Sequence, residues 1–287
     1  MKTKFIVLFA SVLTFFAVIL RSFQLLSFVE GNTGFFIPET ERTGIILTAV
    51  IFVLLFVAFI LTFTGRRQPS RIPSFNKLLS VCAVILGFAF LYEALALKLP
   101  HRIPYVLKAI TCVLGFAGGI VMIWYGLLGF IKNLPFRRGL LIITVCYSFM
   151  RLVTSFVCYA PTARTADSVI DIFALCSVLV FFLYFAKIYC WIDMDKSCIR
   201  IFPFAVLSVG FCTVNTLPKL IMYLLGKPEL VHSSPAFVVT DLALALFIGV
   251  FTYSLYRAKN LPVKHHTSKM MSSKNIAVKD NSFYLNR

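Results

Sequence analysis

The chain has 287 residues, 60% of them hydrophobic and only 14% charged, with a mean hydropathy of +0.91. Ordinary soluble proteins carry roughly 25% charged residues, so a soluble domain is excluded. The formal net charge of +17 would suggest nucleic acid in a soluble protein. Here no basic, aromatic-interleaved surface domain exists, and the excess reads as Lys and Arg retained in cytoplasmic loops.

A membrane-spanning helix needs about 20 apolar residues, and eight such spans can be read along the chain. The first covers 4–26, after Met1-Lys-Thr-Lys4. Its apolar run of about sixteen residues slightly exceeds a signal-peptide core of roughly 7–15. Val18-Ile19-Leu20-Arg21 is a poor cleavage site, so the segment reads as an uncleaved span. The first external connection, 27–43, carries Glu30, Glu39 and Glu41 and is expected to lie over the outer face. Span 2 covers 44–64. It ends at Gly65-Arg-Arg-Gln-Pro-Ser-Arg-Ile-Pro73, whose prolines and arginines would be costly in hydrocarbon.

Span 3, 77–97, contains Glu93 in the sequence Glu93-Ala-Leu-Ala-Leu. This resembles Asp241-Leu-Ala-Leu-Ala in span 8, but the match is mostly Ala and Leu and reads as chance rather than a repeat. After the turn Leu99-Pro-His-Arg-Ile-Pro104, span 4 covers 104–131. It holds Lys108 and Gly115-Phe-Ala-Gly-Gly119, whose small residues permit close helix approach; packing within the chain is expected rather than dimerisation. Trp124 and Tyr125 lie too deep to be interfacial anchors, whereas Trp191 is placed for that role. A basic turn, 132–138, leads to span 5, 139–160. There Tyr147, Arg151, Thr154, Ser155 and Cys158 recur at 3–4-residue spacing and form one polar stripe, which should face the bundle.

Span 6, 167–190, begins with Asp167, an acidic residue suited to a helix N-terminus, and carries Asp171 one turn later. Span 7, 201–223, contains Asn215-Thr-Leu-Pro218-Lys219. Pro218 removes a backbone bond, and Asn215 and Thr216 are candidates to satisfy the freed groups. Span 8, 236–256, carries Asp241. Residues 257–287 form a basic tail, read as disordered and held on anionic lipid at about 1 kcal/mol per basic residue. His265 and His266 in it lack further metal ligands nearby. The eight cysteines contain no CxxC pair, and most lie in spans where free Cys acts as a small hydrophobe.

With both termini in the cytoplasm, 19 of the 28 basic residues fall on the inner side. The outer loops hold only Arg42, Lys98, Arg102, Arg164 and Lys227. The expected fold is therefore all-α: a polytopic helical bundle over residues 1–256, with eight transmembrane helices and both ends inside. The lack of an Asn-x-Ser/Thr site accords with a bacterial cytoplasmic membrane.

In this orientation Arg21, Glu93, Lys108, Arg151, Asp167, Asp171, Lys219 and Asp241 all fall toward the outer helix ends. Arg21, Lys108 and Lys219 are about one turn inside and are expected to snorkel to headgroups. Arg151 is the deepest, about 12 Å in. A charge there costs about 2.5–3.5 kcal/mol or more unless it faces protein or water, so it needs a carboxylate partner. Asp171, on the next span, is the first choice and Glu93 the second.

No HExxH, GxSxG or P-loop motif is present, and no cofactor or metal is implied. An intramembrane enzyme acting on lipid through Arg151, Glu93 and Asp171 lacks a nucleophile, Tyr147 being a poor one. The leading reading is a small-solute or ion transporter, or a transporter-like binding component. Its outward-facing polar cavity would be built from Arg151, Asp171, Glu93, Asp241, Asn215 and Tyr147. The alternative is a non-transporting sensor or assembly partner that meets a membrane or cytoplasmic protein. Lipid is a partner in either case.

Overall fold

A computed structural model describes residues 3–30, 35–64, 76–96, 105–131, 137–159, 166–231 and 234–258. The 65–73 and 99–104 turns, all four histidines and the tail beyond residue 258 lie outside them.

Among the described residues there is no strand, and eight helices are long and apolar enough to cross a membrane. They are α1 (Thr3–Phe28), α2 (Glu41–Thr64), α3 (Lys77–Ala96), α4 (Tyr105–Leu127), α5 (Leu141–Tyr159), α6 (Ala166–Tyr189), α7 (Met194–Leu224) and α8 (Pro235–Ala258). In hydrocarbon every backbone polar group must be satisfied internally, and a helix does so within one segment. Hydroxyls follow the same rule. Thr111 donates to the Leu107 carbonyl, Ser148 to Thr144 and Ser208 to Phe204, so these side chains occupy apolar surroundings with their donors used.

All eight expected spans are present, and the largest difference is in α7. It begins at Met194, a turn and more before the expected 201, and runs through Pro203 and Pro218. Asp193, in the left-handed region at φ 45°, starts it abruptly, so residues 194–200 join the helix instead of the preceding loop. Thr216 donates to the Cys212 carbonyl. Asn215 is used elsewhere, so the expected repair of the Pro218 gap by these two side chains is not what forms.

Six helices close a ring. Each of α3 to α8 packs on its sequence neighbour, and α8 returns to α3. The α1–α2 hairpin joins from outside, both helices packing on α7. That makes α7 the most enclosed of the eight spans: 67% of its apolar window is buried inside the protein, against 22% for α2. Close approach of α3 and α4 depends on glycines. A Cβ on Gly119 would stand 2.8 Å from the Gly87 carbonyl oxygen, and one on Gly126 2.7 Å from that of Ser80. The Gly115-to-Gly119 motif thus serves packing within the chain, as expected.

The two ends of the ring differ. Toward the end formed by the α5–α6 and α7–α8 connections lie the buried ionisable residues. Toward the other, Phe181, Phe182, Phe185, Phe247 and Phe251 form a buried aromatic cluster. Tyr125 joins it and donates to the Tyr189 hydroxyl at 2.7 Å. The α1–α2 connection folds back on itself through a Val29–Phe36 bridge. Val29 and Leu25 pack with Met222 and Leu230, so this connection lies over the end of α7.

Candidate functional site

Arg151 sits on α5 about 12 Å from the Tyr159 end and is only 4% exposed. Its Nε donates to Glu93 Oε1 of α3 at 2.8 Å. Its Nη1 lies 2.7 Å from Asp241 Oδ1 of α8, an ion pair by distance whose angle falls outside hydrogen-bond geometry. The guanidinium also lies 5.4 Å from the Phe237 ring centre, a cation–π contact. One cation therefore answers two carboxylates from two helices.

The network continues through Asn215 on α7. Its Nδ2 donates to Asp241 Oδ2 at 3.0 Å, and its Oδ1 accepts from Lys219 Nζ at 2.7 Å. Lys219 also donates to Asp171 Oδ1 of α6 at 3.2 Å. Glu93, Arg151, Asp241, Asn215, Lys219 and Asp171 thus form one chain of contacts across five helices. All six are buried. A single unpaired member would carry a large desolvation penalty, which the shared contacts offset.

The expected polar stripe of α5 faces this network. Tyr147 and Thr154 are buried and Ser155 is half-buried; the Cys158 side chain lies outside the described residues. Tyr147 stands beside the Glu93 carboxyl and its ring packs on Phe90 at 4.8 Å between centres. Glycine makes room for that ring, because a Cβ on Gly115 would reach Tyr147 at 3.0 Å. Thr154 and Thr111 meet at 2.9 Å, tying α5 to α4.

A polar cavity of about 30 Å³ opens within the network, lined by Arg151, Ser155, Asp171, Asn215, Lys219 and Asp241 among others. A buried water needs roughly 10–15 Å³ measured in this way, so the space suits one or two waters or a small ion. Glu93 and Tyr147 lie behind Arg151, off the cavity wall. Among the described residues no three His, Cys, Asp or Glu side chains gather as a metal set.

All six residues named from the sequence converge, but the expected pairing does not form. Arg151 takes Glu93, the second choice, together with Asp241; Asp171 pairs with Lys219. Sequence adjacency of spans 5 and 6 favoured Asp171. The return of α8 onto α3 decided otherwise, because it delivers two carboxylates to the face of α5 that carries Arg151.

Two other expectations are corrected. Lys219 and Arg21 do not snorkel; both are buried at 2% exposure. Arg21 is paired with Asp167 and donates to Gln24 Oε1 at 2.6 Å. Asp167, in the first turn of α6 as expected, therefore also joins α6 to α1. Gln24 extends the link to α2, donating to the Gly44 carbonyl at 2.6 Å and to Thr48 at 2.7 Å. Lys219 is the site residue the sequence reading passed over. A signal existed: Asn215 and Lys219 are four apart and share one helix face.

No family model, characterised protein or solved structure matches the chain.

Proposed function

We propose that this chain is a multi-pass membrane transporter of an ion or small solute, with the charge network as its binding site. The observation that carries the reading is one network of Arg151, Glu93, Asp241, Asn215, Lys219 and Asp171 from five helices, of which all but Glu93 line one polar cavity. Intramembrane ionisable groups are expensive and mark ion or solute pathways. With basic turns on the cytoplasmic side, the cavity faces outward, and the aromatic cluster of α6 and α8 closes the inner half. This arrangement fits an outward-facing, occluded state of a bacterial cytoplasmic-membrane protein. Its narrow cavity must widen to admit anything larger than a small ion.

The test is flux through proteoliposomes, measured separately for H⁺, Na⁺, K⁺, Cl⁻, inorganic phosphate and a set of amino acids. At least one should move faster than in protein-free vesicles, and Arg151→Ala should abolish it while the purified variant keeps its helical spectrum and abundance. No movement of any probe by folded wild-type protein would count against transport.

A second reading is favoured by the cavity's small volume and by the mutual pairing of the charges. In it the network holds the bundle together, and the protein is a sensor or assembly partner that meets others through its basic inner turns. Arg151→Ala would then remove the folded protein from the membrane, with no separable flux defect.

A further inference from the structure

Glu93 is the carboxyl group whose surroundings differ most from those of its neighbours. Asp241 has both oxygens met, Oδ1 by the Arg151 guanidinium and Oδ2 by the Asn215 amide. Asp171 is met by the Lys219 ammonium. Glu93 accepts from Arg151 through Oε1, but Oε2 is fully buried with no hydrogen-bond partner in the structure. Arg151 is thus one positive charge set against two carboxyl groups, one of which has an unused oxygen. A buried carboxylate oxygen without a donor is disfavoured. A proton on it converts the same atom into a donor.

The groups around Glu93 suit that proton. On α8, the Thr240 hydroxyl lies beside the carboxyl and donates its own hydrogen to the Ala236 carbonyl at 3.0 Å, leaving its oxygen free to accept. From α5, the Tyr147 hydroxyl also stands beside the carboxyl, where it can accept from a protonated oxygen or donate to an ionised one. The charged groups facing it are Arg151 of α5 and Asp241 of α8. On α4, the other helix packed against α3, Cys112 is engaged with the Ala94 carbonyl at 3.4 Å, and Lys108 is half-buried. Two carboxyl groups close to one another favour a single shared proton over two full charges.

We propose that Glu93 carries a proton in this state, and that this is the proton coupled to transport. The coupling half of the statement rests on the transport reading above. The proton is taken from water in the cavity and returned to it. Asp241 lines the cavity and shares Arg151 with Glu93. No other reactant is consumed.

The chain suits a direct test. It has five glutamates, of which Glu93 is buried and the other four, Glu30, Glu39, Glu41 and Glu229, are exposed. Full-length protein in lipid is prepared with natural glutamate and with glutamate carrying ¹³C in its side-chain carboxyl, and infrared absorption is recorded at neutral pH. The expected result is a band from one protonated carboxyl per chain that moves to lower frequency with the label and is missing in Glu93→Gln. The wild-type label comparison stands even if that variant folds poorly. The proposal is overturned by the absence of a protonated-carboxyl band, or by a band that ignores labelled glutamate and shifts with labelled aspartate. The spectrum needs no flux. A labelled band without movement of any probe keeps the proton and removes the transport reading; probe movement without the band does the reverse.

Discussion

Arg151→Met separates an ionic network from a collection of incidental contacts. Methionine keeps much of the stem's bulk and removes the charge. The Asp241 carboxylate then loses its cation, and breaking a buried pair by removing one partner costs about 3–5 kcal/mol. Glu93 Oε1 loses its donor at 2.8 Å, for about 1–3 kcal/mol more. Such terms do not add fully within one network, so the expected loss is about 5 kcal/mol. The triple variant Arg151→Met, Glu93→Gln, Asp241→Asn removes all three ionisable groups together. It should be about 2 kcal/mol or more better than the single variant, because no uncompensated charge is left buried. The assay is reversible unfolding of purified protein in mixed micelles, followed through Trp124 and Trp191, the chain's two tryptophans. A loss under about 1 kcal/mol for Arg151→Met, or a triple variant no more stable than the single one, would refute the reasoning.

Two further outcomes follow from packing and orientation. Gly119→Val should destabilise by about 1–3 kcal/mol, the usual effect of overpacking, because its Cβ would meet the Gly87 carbonyl at 2.8 Å. Gly139→Ala, with nothing within 4 Å, should stay within about 0.5 kcal/mol of wild type in the same unfolding assay. For orientation, a cysteine at Lys227 should react with a membrane-impermeant maleimide in intact cells, whereas one at Lys196 should react only after lysis. Both positions are exposed, so the reverse pattern would invert the topology.

The spans were legible because a bilayer imposes one demand on every segment, about 20 apolar residues with a self-satisfied backbone. The α5 stripe was legible for a similar reason. Tyr147, Arg151 and Thr154 recur at helical spacing, and the cost of a deep charge turns that face inward. Lys219 and Arg21 were misread because depth alone does not distinguish a lysine or arginine pointing along a helix from one pointing into a bundle. Their long stems reach headgroups or a neighbouring carboxylate equally well. What decided the outcome was the presence of Asp171 and Asp167 on the facing helix.

The sequence by itself determined that this is an eight-span helical membrane protein with costly charges toward one end, since both follow from transfer of each residue between water and hydrocarbon. It also named six residues that would need one another. Which of them meet was decided only by tertiary structure. Arg151 and Asp171 are close along the chain, yet Arg151 finds Glu93 and Asp241, distant in sequence. They are delivered together because α8 closes the ring against α3. Pairing between helices depends on the order of packing around the bundle and on the rotation of each helix. Neither quantity is written in the hydrophobicity of a single segment.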